Sequence, residues 1–265
     1  MLGELSLMAT LSETKVYRII GLESFMSILI NKQERFVRPI DSWPDTFEGY
    51  MLHQLDSIEG MQKVIDRLYM ISTENIDSTI LSLSKLLRTR YTCYGQCWSR
   101  KGNSDALWRI YSQDRKGVQI KTSVGKIFDS IPDKKDDGGI FLFGKVDYYS
   151  QSKIEGDLKS LKALTDDQFA IIMLQSLLVK RNSFSHESEY RLIYMSKNLF
   201  GEGTPVKLLP IDPYTFIERI CFDPRADDSY VDRCTRLLTQ SFGVPRRKIK
   251  KSNLYAFKPL RFELE

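Results

Sequence analysis

The stretch Ser185-His186-Glu187-Ser188-Glu189-Tyr190-Arg191-Leu192-Ile193-Tyr194 constrains the fold more than any other part of the chain. Glu187, Glu189 and Arg191 stand two apart and lead into a β-favouring run. Side chains two apart on a strand share one face. The spacing therefore predicts a strand that presents two carboxylates and a guanidinium side by side. Carboxylates so close repel, so such a face is solvated, closed by a cation, or working on a ligand. A surface strand whose charges pair across to a neighbour is one reading. The other is a carboxylate that holds a ribose hydroxyl and stabilises positive charge developing on a sugar.

The pattern around this strand is mixed. Lys15–Ile20 reads as a strand broken by Gly21, and Leu22–Ile30 as a helix with Leu22, Phe25, Met26, Leu29 and Ile30 on its apolar stripe. Phe36–Arg38 reads as a short strand, followed by a turn-rich loop from Asp41 to Gly49. Residues 50–90 carry helical periodicity and predict two or three inserted helices. Strands are predicted over Tyr91–Trp98, Gly117–Lys121, Ile140–Tyr149, 189–195, 206–209, 216–223 and Leu254–Phe262. Helices are predicted from Ser104 as N-cap to Tyr111, over Asp166–Lys180, and from Ser229 to Phe242 with Gly243 as the stop. Residues 151–164 are polar and poorly patterned, and Asp133–Gly139 reads as a turn. The class this order predicts is α+β, built as a loose arm over 1–14 and one domain over 15–265 with a helical insert at about 50–90.

Composition narrows the function. The 265 residues include 42% hydrophobic and 11% aromatic side chains, enough for a substantial core. A net charge of +5 is mildly basic and leaves room for an anionic ligand. Cys93, Cys97, Cys221 and Cys234 fit no zinc spacing, and His53 and His186 are the only imidazoles, so no metal site is expected. Free thiols and the lack of a signal peptide or a membrane-length apolar run point to a cytoplasmic protein. Phosphate-loop, dinucleotide-fingerprint and nucleophile-elbow motifs are missing.

Other constellations each have a plain counterpart. Trp108 and Tyr111 share a helix face; the ring of Trp108 fits a core, whereas Tyr111 could stack on a base or nicotinamide. Tyr17-Arg18 ends a strand, where an arginine fork can hold a phosphate or ribose edge or simply pair at the surface. Trp43, Pro44, Asp45, Phe47 and Glu48 form a turn that pins itself or a loop that covers a ligand. The basic run Arg246–Lys251 is a solvated face or a nucleic-acid backbone contact, without interleaved aromatics.

Taken in order, these segments resemble a widespread bacterial family of uncharacterised domains. Its Asp-Pro-Phe-Glu loop, Trp-Ser-His-Tyr helix before Lys-Gly-Val, and Glu-x-Glu-x-Arg strand correspond to Pro44-Asp45-Thr46-Phe47-Glu48, Leu107-Trp108-Arg109-Ile110-Tyr111 and His186–Arg191. Thr46 replaces the usual Pro, and Arg109-Ile110 replace Ser-His. The opening Tyr17–Phe25, followed by Ile28-Leu29, is in turn similar to ADP-ribosyltransferases. That resemblance implies their mixed, mostly antiparallel β core and NAD as substrate. It places Arg18 and Tyr17 at the cofactor, and Tyr111, with Trp108, at the nicotinamide wall. Ser99 or Ser112 is an alternative for the middle position. Glu189 is the implied catalytic acid and Glu187 its companion. The implied activity is transfer to a protein, RNA or DNA acceptor in a toxin or phage-defence effector, with room for an antitoxin or regulatory partner. The alternatives are an NAD glycohydrolase and a non-enzymatic nucleotide- or nucleic-acid-binding module.

Overall fold

A computed structural model describes residues 12–71, 75–131, 139–160, 174–196 and 204–257. The fold is α+β with mostly antiparallel strand pairing. It divides into two compact units: residues 1–33, 100–130 and 211–265, and residues 34–99 and 131–210.

In the first unit, strand β1 (Lys15–Ile20) leads through Gly21 into helix α1 (Leu22–Asn31). Phe25, Ile28 and Leu29 are the buried residues of α1, while Ile30 turns outward, so the apolar stripe is rotated from the predicted one. Helix α6 (Asp105–Tyr111) starts at Ser104, whose hydroxyl accepts from Leu107 N, as its cap chemistry predicts. Antiparallel β4 (Val118–Ser123) and β10 (Arg219–Phe222), then parallel β11 (Ile249–Lys251), extend from β1. Val16, Val118, Ile120, Ile220, Phe222 and Ile249 alternate onto one buried face. Helix α10 (Asp228–Phe242) packs there through Val231, Cys234 and Leu238, with Tyr230 edge-on to Phe222. Its stop is Gly243 at φ 64°, a conformation that suits glycine.

The second unit orders its strands β9 (Val206–Pro210), β2 (Gln33–Val37), β3 (Cys93–Ser99), β8 (Glu189–Met195) and β5 (Ile140–Lys145). Strand β8 is interior and buried along its length except at Met195. One face carries Tyr190, Leu192 and Tyr194 among Tyr94, Phe141 and Phe143. The other carries Glu189, Arg191 and Ile193. The insert covers this second face: helices α3 (Tyr50–His53), α4 (Ile58–Ile71) and α5 (Ile76–Thr92) supply Leu52, Val64, Leu68 and Leu83, which cluster with Cys93, Leu177 and Ile193. That layer is why an alternating charged strand ends up buried instead of solvated. Ahead of α3, helix α2 (Pro39–Ser42) leads into the Trp43–Gly49 loop.

Several predicted elements are corrected. The predicted helix Asp166–Lys180 lies partly outside the described residues, and its end is instead strand β7 (Val179–Arg181), paired in parallel with β6 (Asp147–Tyr149). The apolar Leu177-Leu178-Val179 run fits either element by pattern; Val179 and the partner strand decide for β. The single strand over Ile140–Tyr149 is two, β5 and β6. Residues 151–160 form helix α8 despite their weak pattern. Residues 213–216 form helix α9 with Pro213 at its start, which delays β10 to Arg219. Residues 254–257 are not a strand, and the rest of the predicted Leu254–Phe262 segment lies outside the described residues, among which β11 is the last strand. Helix α7 (Val124–Ser130) follows β4. The predicted arm and the 133–139 turn fall mostly outside the described residues.

Candidate active site

The charged cluster is built by a return of the chain. Strand β7 delivers Lys180, a 3-10 turn over Asn182–Glu187 reverses direction, and Ser188 at φ 48° sets the chain into β8. Glu187 therefore precedes the strand instead of lying on it, a correction to the predicted ladder. The turn nevertheless brings it to the same cation as Glu189. Lys180 Nζ lies 2.6 Å from Glu187 Oε2, 3.0 Å from Glu189 Oε1 and 3.1 Å from Glu48 Oε1. Arg191 Nε donates to Glu189 Oε2 at 2.9 Å, Nη2 to Glu48 Oε2 at 2.5 Å and Nη1 to the Leu177 carbonyl at 2.7 Å. All five side chains are buried, Arg191 completely.

Two further contacts hold this cluster. The Arg191 guanidinium stacks 4.0 Å from the centroid of Trp43. Trp43 lies against the sheet because β3 has Gly95 there; a Cβ would stand 2.5 Å from its ring. Asp45, fully buried, takes a two-pronged grip from Arg181 at 2.9 and 3.2 Å and accepts from Phe47 N. The Trp43–Glu48 loop is thus tied to the cluster through Trp43 and Glu48, and beside it through Asp45.

Three carboxylates face two cations, so one proton makes the group neutral. Its location follows from the surroundings. Burial, then the hydrogen bond with Glu189, raises the Glu187 carboxyl to about 7. Burial opposes ionisation of Glu189 too, but Arg191, the Glu187 hydrogen bond and Lys180 overcome it and hold its carboxyl at about 2. Burial also raises Glu48, against the pull of Arg191 and Lys180. Lys180 is itself raised: burial works against its charge, and Glu189, Glu48 and Glu187 outweigh it. The two neighbouring carboxyls are thus driven in opposite directions, Glu189 towards the ionised form and Glu187 towards the protonated one.

Ser99 joins this group. It sits directly across from Glu189 on β3, and its hydroxyl donates to the Glu187 carbonyl at 2.6 Å. Tyr148 Oη accepts from Glu189 N at 2.8 Å. Ser112, the other alternative for the middle position, is buried and accepts from Gly117 N, holding the turn into β4. Sequence reasoning missed Lys180, hidden at the end of a presumed helix, and gave Glu48 no partner. The available signal was the Lys180-Arg181 pair closing an apolar run.

The remaining predicted residues belong to the first unit. Tyr17 and Arg18 are neighbours on β1 and so face opposite sides of the sheet, Arg18 sharing its side with Val16. Trp108 is fully buried, while Tyr111 is 48% exposed. Arg225 ties off the end of α6, donating to the carbonyls of Trp108 and Ser112 at 3.0 and 2.8 Å. Among the described residues no cluster of metal-ligating side chains occurs, and no helix is long and apolar enough to cross a membrane.

The chain is similar to three solved structures of Thermus sp. 2.9 DarT, each at 12% identity. The complex with NAD+ aligns with a TM-score of 0.39 over 92% of this chain and 98% of that one. The complex with ADP-ribosylated ssDNA has a TM-score of 0.39 over 92% and 96%. The carba-NAD+ complex has a TM-score of 0.35 over 90% and 95%. No curated protein matches the sequence. Residues 107–192, which contain Trp108, Tyr111, Lys116-Gly117-Val118 and the Glu187–Arg191 segment, match the family model described as "Protein of unknown function (DUF2971)".

Proposed function

We propose that this chain is an NAD-dependent ADP-ribosyltransferase-like enzyme that modifies a macromolecule and serves as a toxin or phage-defence effector. The observation that carries the reading is the meeting of two carboxyls, Glu187 and Glu189, on one buried cation, Lys180, with Arg191 bonded to Glu189: burial raises the Glu187 carboxyl, and Arg191 helps hold that of Glu189 low. Neighbouring acids driven apart in this way supply separate charge-stabilising and proton-exchanging roles. As the bond from ribose to nicotinamide breaks, its electron pair leaves with nicotinamide and positive charge grows on the ribose. Glu189 would accept from a ribose hydroxyl and stabilise that charge. Glu187 would take the proton that the attacking acceptor loses. Ser99, opposite Glu189, would support the same ribose. The resemblance assigns Arg18 and Tyr17 to the cofactor and Tyr111, with Trp108, to the nicotinamide wall; all four lie in the first unit, where Tyr17 and Arg18 face opposite sides of β1 and Tyr111 is the exposed member of its pair. The order of the sequence motifs supports the same chemistry.

The near-complete burial of the five charges favours a second reading, in which they are a structural ion cluster and the chain is a non-enzymatic binding module. Incubation with labelled NAD and a cell extract separates the readings. Label on a macromolecule, abolished by Glu189→Gln in a folded variant, supports transfer. Nicotinamide release without a labelled macromolecule shows water as acceptor and makes the enzyme a glycohydrolase. Intact NAD throughout overturns both enzymatic readings.

A further inference from the structure

The first unit holds 21 Lys and Arg against 14 Asp and Glu, and the second 18 against 20, so the chain's +5 divides into +7 and −2. The excess has a place. Arg219 on β10 stands directly opposite Lys121 on β4, which stands opposite Tyr17 on β1. Lys250 on β11 pairs with Cys221, two residues on from Arg219 and so on the same face. Burial raises the Cys221 thiol, and the nearby Lys250 and Arg219 charges pull against that rise. This is the face away from α10.

Like charges directly opposite one another destabilise a sheet. Elsewhere in this unit cations find carboxylates: Lys15 and Lys126 both close on Glu218 at 2.8 Å, and Lys251 on Asp228 at 2.8 Å. Among the described residues Lys121, Arg219, Arg247 and Lys250 have no such partner. Lys248, by contrast, is engaged, donating Nζ to the carbonyls of Tyr214 and Ile217. Aromatic rings follow β11. Beyond β11, Tyr255 is fixed by its hydrogen bond to Asp105, and Phe257 is 86% exposed.

From this arrangement we propose that the Lys121–Arg219–Lys250 face, with Arg247 and the flanking rings, binds single-stranded nucleic acid. The cations take backbone phosphates, and the rings take unstacked bases. The basic run has no aromatics within its own sequence; the fold supplies them. An acidic polypeptide would use the charges but leave the rings idle, and a duplex keeps its bases stacked away from them. The inference concerns the first unit alone and stands apart from the carboxylate cluster, because binding is measured without NAD.

The test is fluorescence anisotropy of the whole protein with short mixed-sequence DNA and RNA single strands, the same DNA as duplex, and poly-glutamate. Both single strands should bind better than the duplex or poly-glutamate, and the tighter of the two identifies the natural source. Four phosphate contacts give a log–log salt slope of about −2.8, an affinity loss of about 50-fold between about 50 and 200 mM salt. Arg219→Glu with Lys250→Glu should weaken binding at least tenfold and flatten that slope. Phe257→Ala, on a side chain too exposed to affect folding, should weaken it about 5-fold or more. No binding at low salt, equal binding of poly-glutamate, or variants that bind like the parent would overturn the proposal.

Discussion

Lys180→Met is the sharpest probe of the buried cluster. Methionine matches the length and apolar stem of lysine but removes the ammonium that touches Glu48, Glu187 and Glu189 together. Glu48 and Glu189 would keep Arg191, while Glu187 would lose its ion pair with Lys180. Breaking a buried ion pair by removing one partner costs about 3–5 kcal/mol, because an uncompensated charge stays behind. For a chain of this size each kcal/mol moves the midpoint by about 2–4 °C, so thermal unfolding at pH 8 should fall by about 6–20 °C. The pH dependence separates charge from packing. Lys180 is raised from its ordinary value, so the parent keeps this cation throughout the neutral and acid range. In the variant the carboxylates lose their counter-charge and take up protons more readily. The deficit should therefore shrink from pH 8 to pH 5. A variant as stable as the parent, or a deficit of constant size across that range, would refute the reasoning.

Other outcomes follow from the same geometry. Glu187 is raised from 4.5 to about 7, so the folded state binds the extra proton between those values; its contribution should make stability fall as pH rises through that window, by at most about 1.4 kcal/mol per unit, and urea titrations of Glu187→Gln should lack the slope. Glu189 is lowered to about 2, so its contribution is present above about 4.5 and is lost as pH falls towards 2; acid unfolding of Glu189→Gln should lack that component. Gly95→Ala places a Cβ 2.5 Å from the Trp43 ring and should destabilise by about 1–3 kcal/mol, with a change in tryptophan fluorescence as Trp43 moves off Arg191.

What the sequence made legible was local. The β-favouring run after Glu187 predicted β8 at its observed bounds, and the Ser229–Phe242 helix with its Gly243 stop matched α10 to within a residue, its buried Val231, Cys234, Thr235 and Leu238 falling at i, i+3, i+4 and i+7. The Glu187–Glu189 pair was visible because its spacing is regular. What stayed hidden depends on tertiary contacts. No local pattern says that the insert helices cover the charged face of β8, and that cover turns a solvated ladder into a buried cluster. Lys180 looked like the end of a helix, since an apolar run without alternation fits either element until a partner strand such as β6 decides. Glu48 was visible only as a loop residue; its role comes from Trp43 lying over Gly95 and carrying the loop to Arg191.

The central claim is that the ionised Glu189 carboxylate acts on the nicotinamide ribose. A crystal structure with NAD or a non-cleavable analogue tests it most directly. The expected result is a hydroxyl of that ribose within hydrogen-bond distance of Glu189, with Ser99 on the same side. An ordered NAD away from Glu189, with the Glu48–Lys180–Glu187–Glu189–Arg191 cluster closed and untouched, would contradict it.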